Sequence, residues 1–235
     1  MVLNHSIKYT LMSGFSIFYY PIVMTIFKIS FSEFMNIKNT MLAVGATFVS
    51  TGCEVTYKQE DADRDFNKAV RFLKQNKAPK GVDNLLSNVL EFCNETKKPK
   101  CLVYTHLYYG DFYFSSMLTN HKGTFNVFGF AEAGVSYENR HQQGITHYLK
   151  AISFVDPDNN QAFIASLYER LSLGYRTMGE QEKECEALQK ALMSQAKAYP
   201  DGDEPVEHFP VNVKYFSEYI AFKQKRAGCT QFEIK

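Results

Sequence analysis

The sequence predicts an all-α fold of antiparallel helix pairs, set after a hydrophobic N-terminal region. Three observations carry this. From Ala62 onward, apolar residues recur at helical spacing in one segment after another. Loop chemistry cuts that pattern at Pro79-Lys80-Gly81, Lys98-Pro99, Lys122-Gly123, Asp156-Pro157-Asp158-Asn159, Gly179 and Pro200-Asp201-Gly202. No window alternates apolar and polar residues for long enough to make a sheet.

The chain has 235 residues, a net charge of +1 and a pI near 7.6, which excludes the basic footprint of a nucleic-acid binder. Apolar residues make up 45% of it, enough for a core, and twenty Phe and fifteen Tyr against seven Pro suit packed elements rather than disorder. Once the N-terminal region is set aside, the remaining length fits one domain.

That region holds two hydrophobic segments. The first, "YTLMSGFSIFYYPIVMTIF", is uncharged from Tyr9 to Phe27 and flanked by Lys8 and Lys28. It is close to the ~20 residues that span a bilayer. The second starts at an internal methionine, "MNIKNTMLAVGATFVSTGC". Lys38 gives it a positive start, Met41–Val49 an apolar stretch too short to span, and Ser50, Thr51 and Gly52 the small residues of a cleavage site. The Thr51-Gly52-Cys53 order resembles the lipobox of bacterial lipoproteins, although Ser50 stands where that family usually has Leu. The resemblance implies a signal peptide over 35–52, lipidation of Cys53, a polar tether over 53–61 and, with Glu54 next, outer-membrane sorting. Residues 1–34 then precede the true start at Met35. The alternative is an inner-membrane protein anchored by a transmembrane helix over 9–27.

The helical domain is expected over 62–235. "FNKAVRFLKQ" places Phe66, Ala69, Val70 and Leu73 on one stripe, and "VDNLLSNVLEFC" does the same with Val82, Leu85, Leu86, Val89, Leu90 and Cys93. Asp83 suits a helix N-terminus. Further helices are predicted in "CLVYTHLYYGDFYFSSML", "FNVFGFAEAGVSYENR", "GITHYLKAISFV", "NQAFIASLYERLSLGYRTM", "EKECEALQKALMSQAKAY" and "NVKYFSEYIAFKQKR".

Two units repeat. Phe130, Ala133, Gly134 and Tyr137 open one, followed by Ile145, Leu149 and Ile152; Tyr168, Leu171, Ser172 and Tyr175 open the other, followed by Leu188 and Ala191. Tyr137 and Tyr175 then correspond at about 38 residues, a helical-hairpin period. Here the chain resembles the tetratricopeptide and Sel1-like repeat families, over roughly 82–198. "LEFCNETKKPKCLVYTHLYYGDF" is similar to cysteine-containing Sel1 repeats, in which one cysteine ends a helix and another begins the next. Thr105 and Ser172 depart from the families' Gly or Ala, and Glu184 from the tetratricopeptide Ala.

The Sel1 resemblance implies a Cys93–Cys101 disulfide across a hairpin. Cys185 and Cys229 are then either a second pair or buried thiols; an even number of cysteines after Cys53 favours pairing. Mapping the families' concave groove picks out His106, Tyr109, Glu138, Glu169 and Arg176 as partner contacts. The expected function is protein binding at the periplasmic face of the cell envelope. It extends to an immunity-type inhibitor of a periplasmic toxin, as in some small Sel1-like lipoproteins, or to a scaffold of an envelope complex.

There is no GxSxG, HExxH, P-loop or GxGxxG motif, and no Cys/His spacing for zinc. The reading is therefore a non-enzyme without cofactor or metal. His106, His121, His141, His147 and His208 read as packing or surface residues, and Glu180, Glu182, Glu184 and Glu186 as a solvated helix start.

Overall fold

Proline at the first helical position costs no hydrogen bond and presets φ, and two helices here start on one. The computed structural model describes residues 57–202 and 213–229. Helix α1 is Gln59–Lys74 and α2 is Pro79–Thr96. Then come α3 (Pro99–Tyr113), the short α4 (Ser116–Thr119) and α5 (Lys122–Phe128). Last are α6 (Arg140–Phe154), α7 (Gln161–Met178), α8 (Gln181–Ala198) and α9 (Phe216–Ala227). The described fold is all-helical. None of its helices is long and apolar enough to cross a membrane. The segments 9–27 and 35–52, Met35 and Cys53 lie outside the described residues.

The boundaries follow local chemistry. Asp61 accepts the Lys58 backbone N–H at 3.1 Å, so α1 begins at Gln59, inside the stretch read as tether. Acidic Glu60 and Asp61 in its first turn, and Arg71 and Lys74 in its last, complement the helix dipole. Lys97 ends α2 in the left-handed region, with φ 50°, and Pro99 starts α3 two residues later. Asp156 holds the loop before α7 by accepting the Asp158 backbone N–H and the Asn159 amide. Gly179 and Gly228 close α7 and α9 at φ 73° and 71°.

Neighbours in sequence pack on one another: α1 with α2, α2 with α3, α6 with α7, α7 with α8 and α8 with α9. The largest exception is α6, which pairs with α3. The expected stripes of α1 and α2 face the core, with Ala62, Phe66, Ala69 and Leu73 meeting Val82, Leu86, Val89 and Cys93. A second cluster joins Leu107 of α3 to Ile145 and Tyr148 of α6 and to Leu167 and Leu171 of α7. A third joins Ala165, Leu188 and Ala191 to Phe216 and Ile220 of α9.

Both cysteine pairs lie at bonding distance. Cys93 at the end of α2 and Cys101 at the start of α3 have Cα atoms 5.5 Å apart. Cys185 of α8 and Cys229 after α9 have theirs 5.6 Å apart, so the buried-thiol alternative does not hold. By loop entropy the short bridge is worth ~2.5 kcal/mol and the long one ~4 kcal/mol.

Four expectations are corrected. "FNVFGFAEAGVSYENR" is not one helix: α5 stops at Phe128, and 129–139 is irregular, with Gly129 at φ 64° and Gly134 at φ 79°. Tyr137 therefore sits in a turn while Tyr175 sits in α7, and the two are not equivalent positions. In α6, Leu149 faces solvent, while Ile145, His147, Tyr148 and Ala151 are buried. The predicted helix over 101–118 breaks at Phe114–Ser115, where the Ser115 hydroxyl and backbone N–H both donate to the Phe112 carbonyl.

α3 and α6 come unusually close because each offers a glycine. A Cβ on Gly110 would overlap the Tyr148 ring, and one on Gly144 would press on Phe114 and Tyr113. Tyr148 is held in place, its hydroxyl donating to Asp111 at 2.9 Å. Gly110→Ala is expected to destabilise the protein by about 1–3 kcal/mol in urea unfolding, the cost of an overpacked core, despite alanine's better helix propensity.

Candidate functional site

Helix α3 is buried at Cys101, Leu102, Val103, Thr105, His106, Leu107, Tyr109, Gly110, Asp111, Phe112 and Tyr113, and past Lys100 only Tyr104 and Tyr108 are half-buried instead. Its polar side chains must find partners inside the protein. They find them on four other elements, and the result is a set of interior ionic contacts.

The central contact is a histidine pair. His106 Nδ1 lies 2.8 Å from His147 Nδ1, and His147 Nε2 lies 2.8 Å from Glu132 Oε2. The Tyr113 hydroxyl donates to the same Glu132 oxygen at 2.9 Å. Two protonated Nδ1 atoms cannot share such a contact. With His147 Nε2–H donating to the carboxylate, His147 Nδ1 is the acceptor of a His106 Nδ1–H when His147 is neutral. Tyr109 stacks on His147 with ring centroids 4.7 Å apart, and Phe154 lies parallel to His106.

Glu132 belongs to the irregular 129–139 segment, and a second contact pins that segment from α2. The buried Asp83 accepts the Ala131 backbone N–H at 2.7 Å and pairs with Lys80 at 2.9 Å. Lys80 also donates to the Gly129 carbonyl at 2.9 Å. Asp83 Oδ1 has no hydrogen-bond partner, and burial pushes this carboxyl up against the opposing pull of Lys80 and Ala131.

Two further contacts tie distant helices. Asp111 of α3 accepts from Tyr148 of α6 and from Arg170 of α7. Glu169 of α7 pairs with Lys223 of α9 and accepts the Tyr219 hydroxyl at 3.2 Å. Burial pushes the Glu169 carboxyl up, but the Lys223 charge and hydrogen bond outweigh it and hold the group below its usual range.

These facts correct the groove assignment. His106, Tyr109 and Glu169 are interior residues, not groove contacts. The repeat template leaves one face of each first helix open, whereas α3 is covered by α2 and α6, and Glu169 by α9. Glu138 and Arg176 are exposed, Glu138 in the turn before α6 and Arg176 in the last turn of α7. Glu184, read as part of a solvated face, is buried in α8. The residues that sequence reasoning missed are Asp111, Glu132, Arg170 and Lys223, with Asp83 read only as a helix N-terminal acid. Their signal was slight: charged residues inside otherwise apolar helical stretches.

His147 has no exposed surface and His106 almost none, so the pair offers no face to a substrate. What it can do is hold 129–139 against α3 and α6, and make that grip depend on pH. Among the described residues no group of three or more His, Cys, Asp or Glu side chains is arranged to hold a metal ion. Compared with family models, curated proteins and solved structures, the chain matches none.

Burial, with the charges of His147 and Lys150, pulls the His106 imidazole from its usual 6.5 to about 3. Above 6.5 both folded and unfolded chains keep it neutral. Between 6.5 and about 3 the unfolded chain takes up a proton that the folded one refuses, so stability falls as pH falls through that window. Glu132 acts in the same sense lower down. Burial raises its carboxyl, but the His147 and Tyr113 hydrogen bonds hold it below 4.5, so its stabilisation is lost on acidification. Urea midpoints measured between about pH 7 and pH 4 should therefore drop. In His106→Phe the drop should be visibly shallower; an unchanged drop would mean that His106 is not its source.

Proposed function

We propose that this protein is an envelope lipoprotein, anchored through Cys53, whose helical domain binds a protein partner at the periplasmic face. The observation that carries the reading is the pairing of cysteines. Four of the five form two pairs at disulfide distance, and Cys53 is the one outside them. Such bonds persist in oxidising compartments. The remaining cysteine follows Thr51-Gly52 at the end of a short apolar stretch, where a lipoprotein signal would place the acylated thiol. Two or three acyl chains on one residue hold a soluble domain firmly at a membrane, which a single chain does not.

The helix hairpins α2–α3 and α7–α8 support the Sel1-like reading of the fold. Partner contact falls on the exposed Glu138 and Arg176 rather than on the interior polar residues. An inhibitor of a toxin delivered to the periplasm fits a small binding domain of this kind, and so does a scaffold for an envelope complex. The first has one tight partner, the second several.

Intact mass of the chain extracted from membranes in detergent tests the reading. The expected species begins at Cys53, carries acyl chains and lacks the four thiol hydrogens of two disulfides. Peptides from 9–34 in the extracted protein would contradict it. In the same extraction, an Arg176→Glu chain should retain less of any co-purifying partner than the wild type. Equal retention in Arg176→Glu and Glu138→Lys chains would remove those residues from the interface.

A further inference from the structure

Helix α5 buries one side chain against the domain. Phe125 is buried, stacks on Phe130 with ring centroids 4.2 Å apart, and meets Phe112 edge-on at 6.2 Å. The rest of the helix stands in solvent. At its end, Val127 and Phe128 are 74% and 73% exposed, the two most exposed large apolar residues described. They are adjacent, so they form a projecting patch rather than scattered surface residues. Gly129, at φ 64°, turns the chain back directly after them.

The stretch that forms this tip carries no acid. From Phe112 to Ala131 the chain has no carboxylate, and Lys122 is its one Lys or Arg. Asp111 and Glu132, which bracket that stretch, are committed to interior partners. A cation at the base of the tip is Lys122, seated over the Tyr137 ring; Lys80, bound to the Gly129 carbonyl, is paired with Asp83. An exposed apolar tip with Lys122 at its base suits an anionic lipid surface. There the apolar side chains enter the acyl boundary while the lysine stays at the headgroups. Such a contact needs no matching cleft, which a protruding pair cannot offer.

We propose that Val127 and Phe128 form a second membrane contact, entering the headgroup–acyl boundary of an anionic phospholipid bilayer and orienting the domain against it. This rests on the reading that Cys53 places the domain at a membrane. The chain contains no tryptophan, so Phe128→Trp introduces a single reporter at the tip. The full-length lipidated chain would be reconstituted in phosphatidylcholine vesicles containing phosphatidylglycerol, with and without brominated acyl chains. The expected result is blue-shifted indole emission that falls about twofold in the brominated vesicles, as for a ring at the interface. A Val127→Asp change in the same background should abolish that quenching. Water-like, unquenched emission on vesicle-bound protein would overturn the tip contact while leaving the anchor intact. So would a blue shift that appears only with a protein partner or with self-association. Loss of vesicle binding in Cys53→Ser reads the anchor separately, because it is scored by co-sedimentation and not by the indole.

Discussion

The close crossing of α3 and α6 sets much of the interior. Gly110 and Gly144 let the two helices approach until the Tyr148 ring covers Gly110 and the Phe114 ring covers Gly144. That approach, with α2 on another side, leaves little of α3 past Lys100 in solvent. A helix so enclosed can keep polar residues only if other elements bring partners. His106, Asp111 and Tyr113 meet that condition through α6, α7 and the 129–139 segment. The position of 129–139 is thus a consequence of what α3 needs, and the placement of α5 just before it follows.

The interior charges share a logic. Each of the four acidic residues in these contacts is met by a cation or donor, and in three of them that partner lies on another element: Asp111 with Arg170, Glu169 with Lys223, and Glu132 with His147. Asp83 takes Lys80 from its own helix, and both then reach across to the loop. Pairs of this kind add little net stability over apolar packing, yet removing one partner costs about 3–5 kcal/mol. They therefore select one arrangement of helices more than they strengthen it. Because burial holds His106, which meets His147, neutral in the folded chain, the arrangement is also sensitive to acid.

The sequence made the helical class, the stripes of α1 and α2, the α2–α3 turn and the closing glycines of α7 and α9 legible. Each is local, set by spacing within one segment or by Gly and Pro chemistry. The errors came where the outcome is set from outside the segment. "FGFAEAGVSYEN" has helical spacing, but two glycines in left-handed conformations and the pull of Asp83 on Ala131 make it a loop. Three of the five groove residues, His106, Tyr109 and Glu169, failed for a related reason. A repeat template fixes which positions of a helix face outward only if the next helix packs where the template puts it, and α6 packs against α3 instead. Nothing in the spacing of His106 and His147 reveals that they touch; only the tertiary crossing brings them together.

The central claim is that buried polar contacts immobilise an irregular segment as firmly as if it were helix. The Ala131 amide tests it most directly, since it lies outside any helix yet donates to the buried Asp83 carboxylate. Native-state hydrogen exchange at neutral pH should find that amide protected to a degree comparable with Leu107–Asp111 in α3, opening only with the fold. Exchange of Ala131 at the rate of an unstructured chain, while α3 stays protected, would contradict the account.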